Sequence, residues 1–465
     1  MYEFENHKIE DKFKDSFNIK KNSITHKADL YFKLLPYKAN DKNLVCDFSG
    51  VIGSFSRLIS NKKIEGKFDC QEFLDEVLDK VLEYGKEANR DKFKDIVSTV
   101  FLEDGKLINF DIKTLNYINS GEKKDDEIAL FLYSILFDES IEDEVLKCYN
   151  HKINNVLYKL VLSSLPNLKE CDTKLSKKER YFCYAPYVRE MFIKDFKFLI
   201  KHEELYRDSL KRFLEYYYVF YVSQLVLKLD KFEKADLEEI EKLYYTLSWE
   251  STSKNRTAYR LGLELLKSKA NSLYSHALTL EILNMNEEEE QLGYVELGKL
   301  YNSLDKEKVE KMINKVIDLY QDSTKYYIKW ENFKKSSRES DVNGFNEVYK
   351  LFDSLEYQFL DNKRNRAYKA YSNWFLKFIE KNFGKRRGSL GYNLNITEDD
   401  IILMTKLCIN DKKKIKLNVL FEEFEKRGLF FDRESSKKII QLYERLNLLE
   451  KKSDSGDAQY VRSVL

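Results

Sequence analysis

The chain has 465 residues, enough for about two or three domains with substantial hydrophobic cores. Three prolines and 15 glycines, beside 34% charged residues, leave few helix breakers, so the composition predicts a mainly α-helical protein. The 80 lysines and arginines nearly balance 79 aspartates and glutamates, which excludes a protein that coats a polyanion with its whole surface and confines any nucleic-acid contact to a local patch.

Residues 1–170 are predicted to form an N-terminal helical domain. Between Asp69 and Tyr84 the apolar side chains recur at spacings of three and four, which is typical of an amphipathic helix. Residues 126–136 and 142–165 repeat this pattern, and Pro166 then ends the helical segment. We therefore expect several packed helices in this part of the chain.

Residues 171–383 are predicted to form a central helical domain. Pro186 suits the first turn of a helix, and the helical pattern after it runs to Leu229, with a break expected near His202. The middle of this stretch is apolar or aromatic almost all round, so it should be buried among other helices. Further helices are predicted over residues 294–300, 306–322, 345–359 and 365–383.

Two other segments of the central domain have distinct patterns. Residues 243–249 (LYYTLSW) form the one plausible extended piece of this domain. The cluster of hydroxyl side chains at 251–253 is expected to cap one long helix that runs to about Asn284.

The C-terminal segment divides into a basic linker, residues 384–396, and a winged-helix domain, residues 397–465. The linker begins with the glycine-punctuated string GKRRGSLG. The order of elements predicts the winged helix. Thr397 and Asp400 have the spacing of a capping box ahead of a first helix, and residues 414–417 alternate as a short strand does.

Two more helices and a hairpin complete that order. Asn418 is expected to cap a second helix that ends at Gly428, and Asp432 to cap a third. A turn rich in Ser, Asp and Gly separates residues 448–452 from 459–465, which predicts a terminal β-hairpin. Helix, strand, helix, helix, hairpin is the order of a winged helix.

The third helix predicts contact with duplex DNA. At about 100° per residue its apolar side chains cover one side and its cations the other. Winged helices commonly place this helix in the major groove and the hairpin beside the phosphates. Residues 381–465 hold 18 lysines and arginines against 13 acidic residues, a net charge of +5. The expected DNA-binding residues are Lys385, Arg386, Arg387, Arg433, Lys437, Lys438, Gln441, Arg445, Lys451, Lys452 and Arg462.

A protein-docking module is the alternative interpretation of the same segment. In that interpretation the winged helix and the aromatic helices bind partner proteins, and the winged helix does not touch DNA. The surplus of five positive charges is modest, and acidic residues are interspersed on the third helix. Both interpretations therefore stay open at this point.

The sequence offers no catalytic constellation, so we predict a non-enzymatic protein without a cofactor or a metal. Residues 293–299 match G-x-x-x-x-G-K, but Leu300 stands where a phosphate-binding loop needs Ser or Thr to hold magnesium. The five histidines are too scattered for a metal or nuclease motif. Neither a G-x-S-x-G motif nor a Ser-His-Asp order at a sharp turn is present.

The six cysteines lack C-x-x-C spacing and neighbouring histidines, which predicts buried free thiols in a reducing compartment. The first residues are charged and lack the apolar core of a signal peptide. The longest apolar stretch, residues 216–227, is too short to cross a bilayer. We therefore expect a cytoplasmic protein that does not enter a membrane.

Three strings resemble the small G subunits (DptG) of the bacterial DNA phosphorothioation-dependent restriction system. They are residues 184–199 (YAPYVREMFIKDFKFL), 215–225 (EYYYVFYVSQL) and 449–461 (LEKKSDSGDAQYV). The similarity spans about residues 30–465 and is weaker over the N-terminal domain. These strings are not chemical motifs, so no functional residue is carried over from the family.

The resemblance implies an antiviral defence complex that attacks DNA lacking sulfur in its backbone. The larger F and H subunits of that system are expected to be the partners and to carry nucleotide hydrolysis, translocation or cutting. The G subunit would then be a non-catalytic member that assists DNA recognition or assembly.

Overall fold

The computed structural model describes residues 12–13, 17, 25–39, 44–84, 87–171, 175–285, 290–326, 328–360, 365–451 and 459–464. Within these ranges the chain folds into 18 α-helices joined by short strands, which confirms the mainly α-helical class predicted from composition. None of the helices within these ranges combines the length and apolar character that a bilayer-spanning segment needs.

In the N-terminal region, residues 49–170, several helices begin at a side-chain cap. The Asp69 carboxylate accepts hydrogen bonds from the backbone N–H groups of Gln71 and Glu72, which starts the predicted helix. Two antiparallel strand pairs, β1 with β4 and β2 with β3, accompany the helices. The elements are α1 Ser49–Ile59, β1 Lys62–Ile64, α2 Cys70–Asp79, α3 Glu87–Phe101, β2 Leu102–Glu103, β3 Lys106–Leu107, a 3₁₀ helix Ile112–Tyr117, α4 Lys123–Leu136, α5 Glu142–Tyr149, α6 Val156–Ser163 and β4 Leu168–Glu170.

The central region, residues 186–383, contains a helix break at His202, as predicted, and Pro186 lies in the first turn of α7. The expectation of one long helix from residue 253 to 284 is wrong, because three short helices occupy this segment. The elements are α7 Pro186–Lys201, α8 Glu203–Leu229, β5 Tyr244–Tyr245, α9 Thr257–Arg260, α10 Leu263–Ala270, α11 Leu273–Leu283, α12 Tyr294–Asn302, α13 Lys306–Thr324, α14 Phe345–Leu360 and α15 Asn365–Phe383.

The first of these breaks lies at Gly262 and is caused by a contact from outside the helix. The backbone N–H of Tyr244 donates to the carbonyl oxygen of Leu261 at 2.8 Å, so the neighbouring extended segment takes an acceptor that a continuous helix would use. A Cβ atom on Gly262 would lie 2.2 Å from the carbonyl oxygen of Ala258, so only glycine permits this close approach.

The C-terminal region contains three helices and a small antiparallel sheet in the strand order β10-β11-β8. Thr397 and Asp400 form the predicted capping box, and the Asp432 carboxylate accepts from the N–H of Ser435. Asn418 is not a cap, because the second helix starts one residue earlier, at Leu417. The elements are β6 Gly384–Arg386, β7 Tyr392–Leu394, α16 Glu398–Ile409, β8 Lys414–Lys416, α17 Leu417–Glu425, β9 Phe430–Phe431, α18 Arg433–Arg445, β10 Leu449–Lys451 and β11 Gln459–Arg462.

The segment predicted as a basic linker, residues 384–396, has ordered backbone pairing. β6 and β7 form an antiparallel hairpin in which Lys385 lies opposite Asn393. Farther along, the N–H of Ile396 donates to the carbonyl oxygen of Thr246 at 3.0 Å, which attaches the hairpin to the central region. We call residues 398–462 the C-terminal unit below.

One continuous hydrophobic cluster includes buried side chains from all three regions, among them Phe55, Tyr217 and Ile439. α8 contributes most densely, since residues 213–229 are all buried, as the aromatic pattern of this helix predicts. A second, smaller cluster lies within the N-terminal region, where α2, α3 and α6 contribute Phe73, Val97 and Val161.

Candidate nucleic-acid interface

A buried ion pair attaches the C-terminal unit to α7. Arg427 follows α17 and is fully buried, as is Asp195 of α7. Its guanidinium donates to both carboxylate oxygens, from Nε at 2.7 Å and from Nη2 at 2.5 Å. Tyr217 donates to the same carboxylate at 2.6 Å, and Glu423 accepts from Nη1 at 2.9 Å. Every charge is therefore compensated, which a buried pair requires.

A second two-pronged pair attaches α16 to α8. Arg212 donates from Nε at 2.6 Å and from Nη2 at 2.8 Å to the carboxylate of Asp400, the capping-box residue of α16. Its guanidinium also lies 3.9 Å from the ring centroid of Phe383. Burial raises the pKa of Asp400, but the hydrogen bonds and charge of Arg212 outweigh burial and hold that pKa below its ordinary value.

A third pair of this kind fixes the start of α18. Arg256 donates to the carboxylate of Asp432 from Nε at 2.7 Å and from Nη2 at 2.6 Å. Nη1 also donates to the carbonyl oxygen of Ser248 at 2.6 Å, so one guanidinium binds both a central loop and the α18 cap. Arg256 is therefore a structural residue, with only 11% of its side chain exposed.

Backbone contacts complete this attachment. β5 and β9 form a parallel pair in which Tyr244 lies opposite Phe430. The hydroxyl of Ser435, in the first turn of α18, accepts from the N–H of Leu247 at 3.2 Å. The orientation of α18 relative to the central helices is therefore fixed by three ion pairs and a strand pair, not by a free linker.

α18 has one buried and one exposed face. Ile439, Leu442 and Tyr443 are buried against the rest of the molecule. The side chains on the opposite face are exposed to solvent, and they include each residue of this helix predicted to contact DNA. These exposed residues are Arg433, Glu434, Lys437, Lys438, Gln441, Glu444 and Arg445.

A groove of about 660 Å³ runs along one edge of that exposed face. Lys438, Gln441 and Arg445 line it from α18, while Lys385 and Trp249 line it from the β6–β7 hairpin and the loop after β5. We call this cleft the α18 groove. It brings together predicted residues that are separated by more than 50 positions in the sequence.

The ion pairs around the groove are few and exposed. Arg445 pairs with Glu398, and Lys437 pairs with Glu434 one helical turn away at 3.1 Å. Arg433 and Lys438 have no carboxylate partner among the described residues. Because exposed pairs contribute at most about 1 kcal/mol, these cations remain free to exchange a carboxylate for an external anion.

The cations of the β6–β7 hairpin differ in how they are held. Lys385 lies 5.5 Å from the ring centroid of Trp249, and Arg387 donates from Nη1 to the carbonyl oxygen of Trp249 at 3.2 Å. Arg386 is exposed on the same hairpin. Trp249 thus positions two predicted cations beside the groove. No sequence pattern indicates this role, since Trp249 lies in the central region.

The terminal hairpin is less positive than its sequence suggests. Glu450 accepts from Lys414 at 2.6 Å and from Arg462 at 2.7 Å. Hydrogen bonds from these two cations lower the pKa of Glu450. Lys451 belongs to β10, and the predicted Lys452 lies outside the described residues. Lys414 is not among the predicted residues, although its alternation with Ile415 indicates an outward-facing strand residue.

Asp111, His151 and Glu203 form the one cluster of three metal-ligating side chains found among the described residues. His151 Nε2 lies 3.1 Å from a carboxylate oxygen of Asp111, and Nδ1 lies 2.8 Å from the carbonyl oxygen of Cys148. Glu203 accepts from the N–H of Ile112 at 3.2 Å. Both histidine nitrogens are therefore within hydrogen-bond distance of oxygen atoms of the protein itself.

No protein-family model and no curated protein sequence matches the chain. The resemblance to the G subunits therefore stays a prediction from three strings. Two of them, residues 184–199 and 215–225, lie in or beside α7 and α8, where most side chains are buried. Their apolar and aromatic side chains are suited to packing between helices and say nothing about function. The α18 groove is the feature that bears on function.

Proposed function

We propose that the C-terminal unit is a winged helix that contacts duplex DNA, within a non-catalytic subunit of a phosphorothioation-dependent restriction complex. One observation carries the DNA contact. Lys438, Gln441 and Arg445 of α18 line the same groove as Lys385, which comes from a separate hairpin. A cationic helix face with a second cationic element beside it matches the way winged helices bind a duplex.

The side chains of α18 fit the two kinds of contact that a DNA-binding helix makes. Lys437 and Lys438 carry point charges suited to phosphates, which supply affinity without sequence information. Arg433 and Gln441 have the donor and acceptor geometry to reach base edges in the major groove. All four are exposed, and the buried face of α18 holds their backbone in place.

The attachment of the C-terminal unit supports a positioning role for the rest of the molecule. Arg427, Arg212 and Arg256 each bind an aspartate across the boundary between the central helices and this unit. A bound duplex would therefore have a defined orientation relative to the central helices. In the proposed complex those helices face the F and H subunits, which supply the catalytic steps, in the cytoplasm.

Charge reversal on α18 tests the DNA contact. Replacing Lys437, Lys438 and Arg445 together by glutamate is expected to weaken duplex binding by about tenfold or more. The slope of log affinity against log salt should flatten by about 2–3, since up to three phosphate contacts are lost. Gel-shift titrations of the full chain at several salt concentrations measure both quantities.

A matched variant removes the same number of positive charges elsewhere. Lys63, Lys92 and Lys106 are exposed in the N-terminal region, and their replacement by glutamate should leave affinity within about twofold. Circular dichroism shows whether each variant remains folded. Equal affinity for the two triple variants, both folded, would reject the assignment of α18 as the DNA-contacting helix.

A protein-docking scaffold is the second candidate, and one observation favours it. Glu450 engages Lys414 and Arg462, so the hairpin offers balanced charge instead of a cationic surface for phosphates. The triple glutamate variant of α18 separates the two functions in the full chain, because its changes lie on exposed residues. Retention of both larger partners with loss of DNA supports the first proposal, while loss of the partners with DNA binding intact supports docking through the winged helix.

A further inference from the structure

A second cleft, of about 610 Å³, lies in the N-terminal region and shares no lining residue with the α18 groove. It opens between the 3₁₀ helix at Ile112–Tyr117, the segment from Tyr149 to Asn154, and the strand pair β1–β4. Its volume is in the range of small-molecule sites, about 300–1,000 Å³. We call this cleft the lysine pocket, because four lysines line it.

Lys62, Lys113, Lys152 and Lys159 line the pocket, together with His151. None of the described residues that line it carries a carboxylate. In a chain whose positive and negative charges nearly cancel, such a one-sided lining is unexpected. Converging ammonium groups in a concave site attract and hold an anion.

The four lysines are held in different ways. Lys113 donates to the carbonyl oxygen of His151 at 2.6 Å, so its position is fixed. Lys62 pairs with Glu170 at 3.1 Å. Because the Glu170 side chain is 88% exposed, this ion pair is weak. Lys152 and Lys159 are exposed and have no carboxylate partner among the described residues. Three of the four can therefore turn toward a ligand.

Neutral polar groups add directional donors to the lining. Asn116 is 3% exposed, and its side-chain oxygen accepts from Ser60 at 3.1 Å, whereas its amide NH₂ has no partner among the described residues. Tyr117 lines the pocket beside it, and burial raises the pKa of its phenol to about 12. That phenol keeps its proton and remains a donor at neutral pH.

The rest of the lining is partly apolar. Ile153, Leu162 and Leu168 line the cleft with Tyr149, and Asn150 and Asn154 also line it. A ligand that only presents negative charge, such as free phosphate, would leave this surface in water. A ligand with a phosphorylated end and a flat apolar end would use both parts of the lining.

We propose that the lysine pocket binds a nucleoside phosphate. The lysines, with the Asn116 amide and the Tyr117 hydroxyl, would bind the phosphates, and Ile153, Leu162 and Leu168 would pack against the base. The pocket is separate in sequence from the C-terminal unit, so this proposal does not depend on DNA binding by α18.

Calorimetric titration of the full-length protein at physiological salt tests the proposal with four probes: ATP, AMP, pyrophosphate and a single-stranded oligothymidine. We expect ATP to bind more tightly than pyrophosphate, because only ATP can use the apolar wall. The Lys152→Gln/Lys159→Gln variant should weaken ATP binding by about tenfold or more. Ile153→Ser should weaken ATP binding and leave pyrophosphate binding unchanged.

A control variant, Lys63→Gln/Lys92→Gln, removes two exposed lysines of the same region that do not line the pocket, and it should bind ATP as the wild type does. The proposal is overturned if no nucleotide gives measurable heat. Equal affinity for ATP and pyrophosphate would instead show a simple phosphate site. Binding of the oligothymidine alone, lost in the double lysine variant, would show a strand-binding site; both results contradict the nucleotide assignment.

Discussion

The two faces of the C-terminal unit use charged residues in opposite ways. On the inner face, Arg427 is fully buried and donates two hydrogen bonds to Asp195. On the outer face, Lys437 and Arg445 keep 53% and 62% of their side chains exposed, and each has one nearby carboxylate. A similar residue type therefore serves attachment on one side and remains available to a partner on the other.

The difference between the faces follows from desolvation. A buried charge loses its hydration, so it must be fully compensated by its neighbours or the fold is destabilised. An exposed charge keeps water, and its pairing contributes at most about 1 kcal/mol. Inner pairs are thus costly to break, whereas outer pairs can be exchanged for an external ligand.

Arg427→Met gives the largest expected effect. It leaves Asp195 buried without its cation, which should lower the free energy of unfolding by about 3–5 kcal/mol. Urea unfolding followed by circular dichroism measures the loss. Replacing both partners, Arg427→Met with Asp195→Leu, should recover much of that stability, since no uncompensated charge is then buried.

The neighbouring residue provides the control for this change. Lys426 is 57% exposed and pairs with Glu423 at 2.8 Å, so Lys426→Met should change stability by no more than about 1 kcal/mol. If the two single variants were equally stable, the distinction between inner and outer charges would be wrong.

Glu281 tests the same distinction with a buried acid that has no arginine partner among the described residues. Its carboxylate accepts from the N–H groups of Tyr31 and Phe32 at 3.0–3.1 Å. Burial raises its pKa from 4.5 to about 7, against the smaller effect of those hydrogen bonds. Because the folded state favours the protonated acid, this stabilisation is complete below about pH 4.5 and is lost as the pH rises through about 7.

We therefore expect Glu281→Gln to gain stability relative to the wild type, by up to about 3 kcal/mol, as the pH rises from 4.5 to 8. Urea midpoints at several pH values measure this difference. Glu264→Gln, which removes an exposed acid on α10, is the matched control for the loss of one carboxylate. Parallel curves for wild type and Glu281→Gln would mean that Glu281 titrates normally in the folded protein.

Glu450→Gln gives the smallest effect, on the outer face. It frees Lys414 and Arg462 from their shared carboxylate, so duplex binding should tighten by about two- to threefold at low ionic strength. Glu425→Gln removes one negative charge from the same unit without freeing a paired cation. A gain no larger than that of this control would show that the terminal hairpin does not face the DNA.

Local sequence signals predicted much of the fold. The capping box of Thr397 with Asp400, the cap at Asp432 and the break at His202 lie where their residues indicate. These features depend on local interactions between a side chain and backbone groups no more than four residues away. The predicted helix from 253 to 284 failed for a distant reason, because Tyr244 takes the carbonyl of Leu261 from outside the helix.

The candidate site was predictable only in part. The exposed face of α18 follows from helical periodicity, which identifies Lys438, Gln441 and Arg445. The contribution of Trp249 and the neutralisation of the hairpin by Glu450 depend on tertiary packing. Periodicity also cannot distinguish Arg256 from a solvated arginine, since its partner lies 176 residues away.

The parallel pairing of β5 with β9 has a consequence for how the protein is made. Tyr244 and Tyr245 leave the ribosome long before Phe430 and Phe431, so β5 stays unpaired until β9 has been synthesised. Contacts between such distant parts of a chain slow folding and leave apolar surface accessible in the meantime. A truncated or stalled chain would therefore present an open strand edge and is expected to aggregate or to engage chaperones.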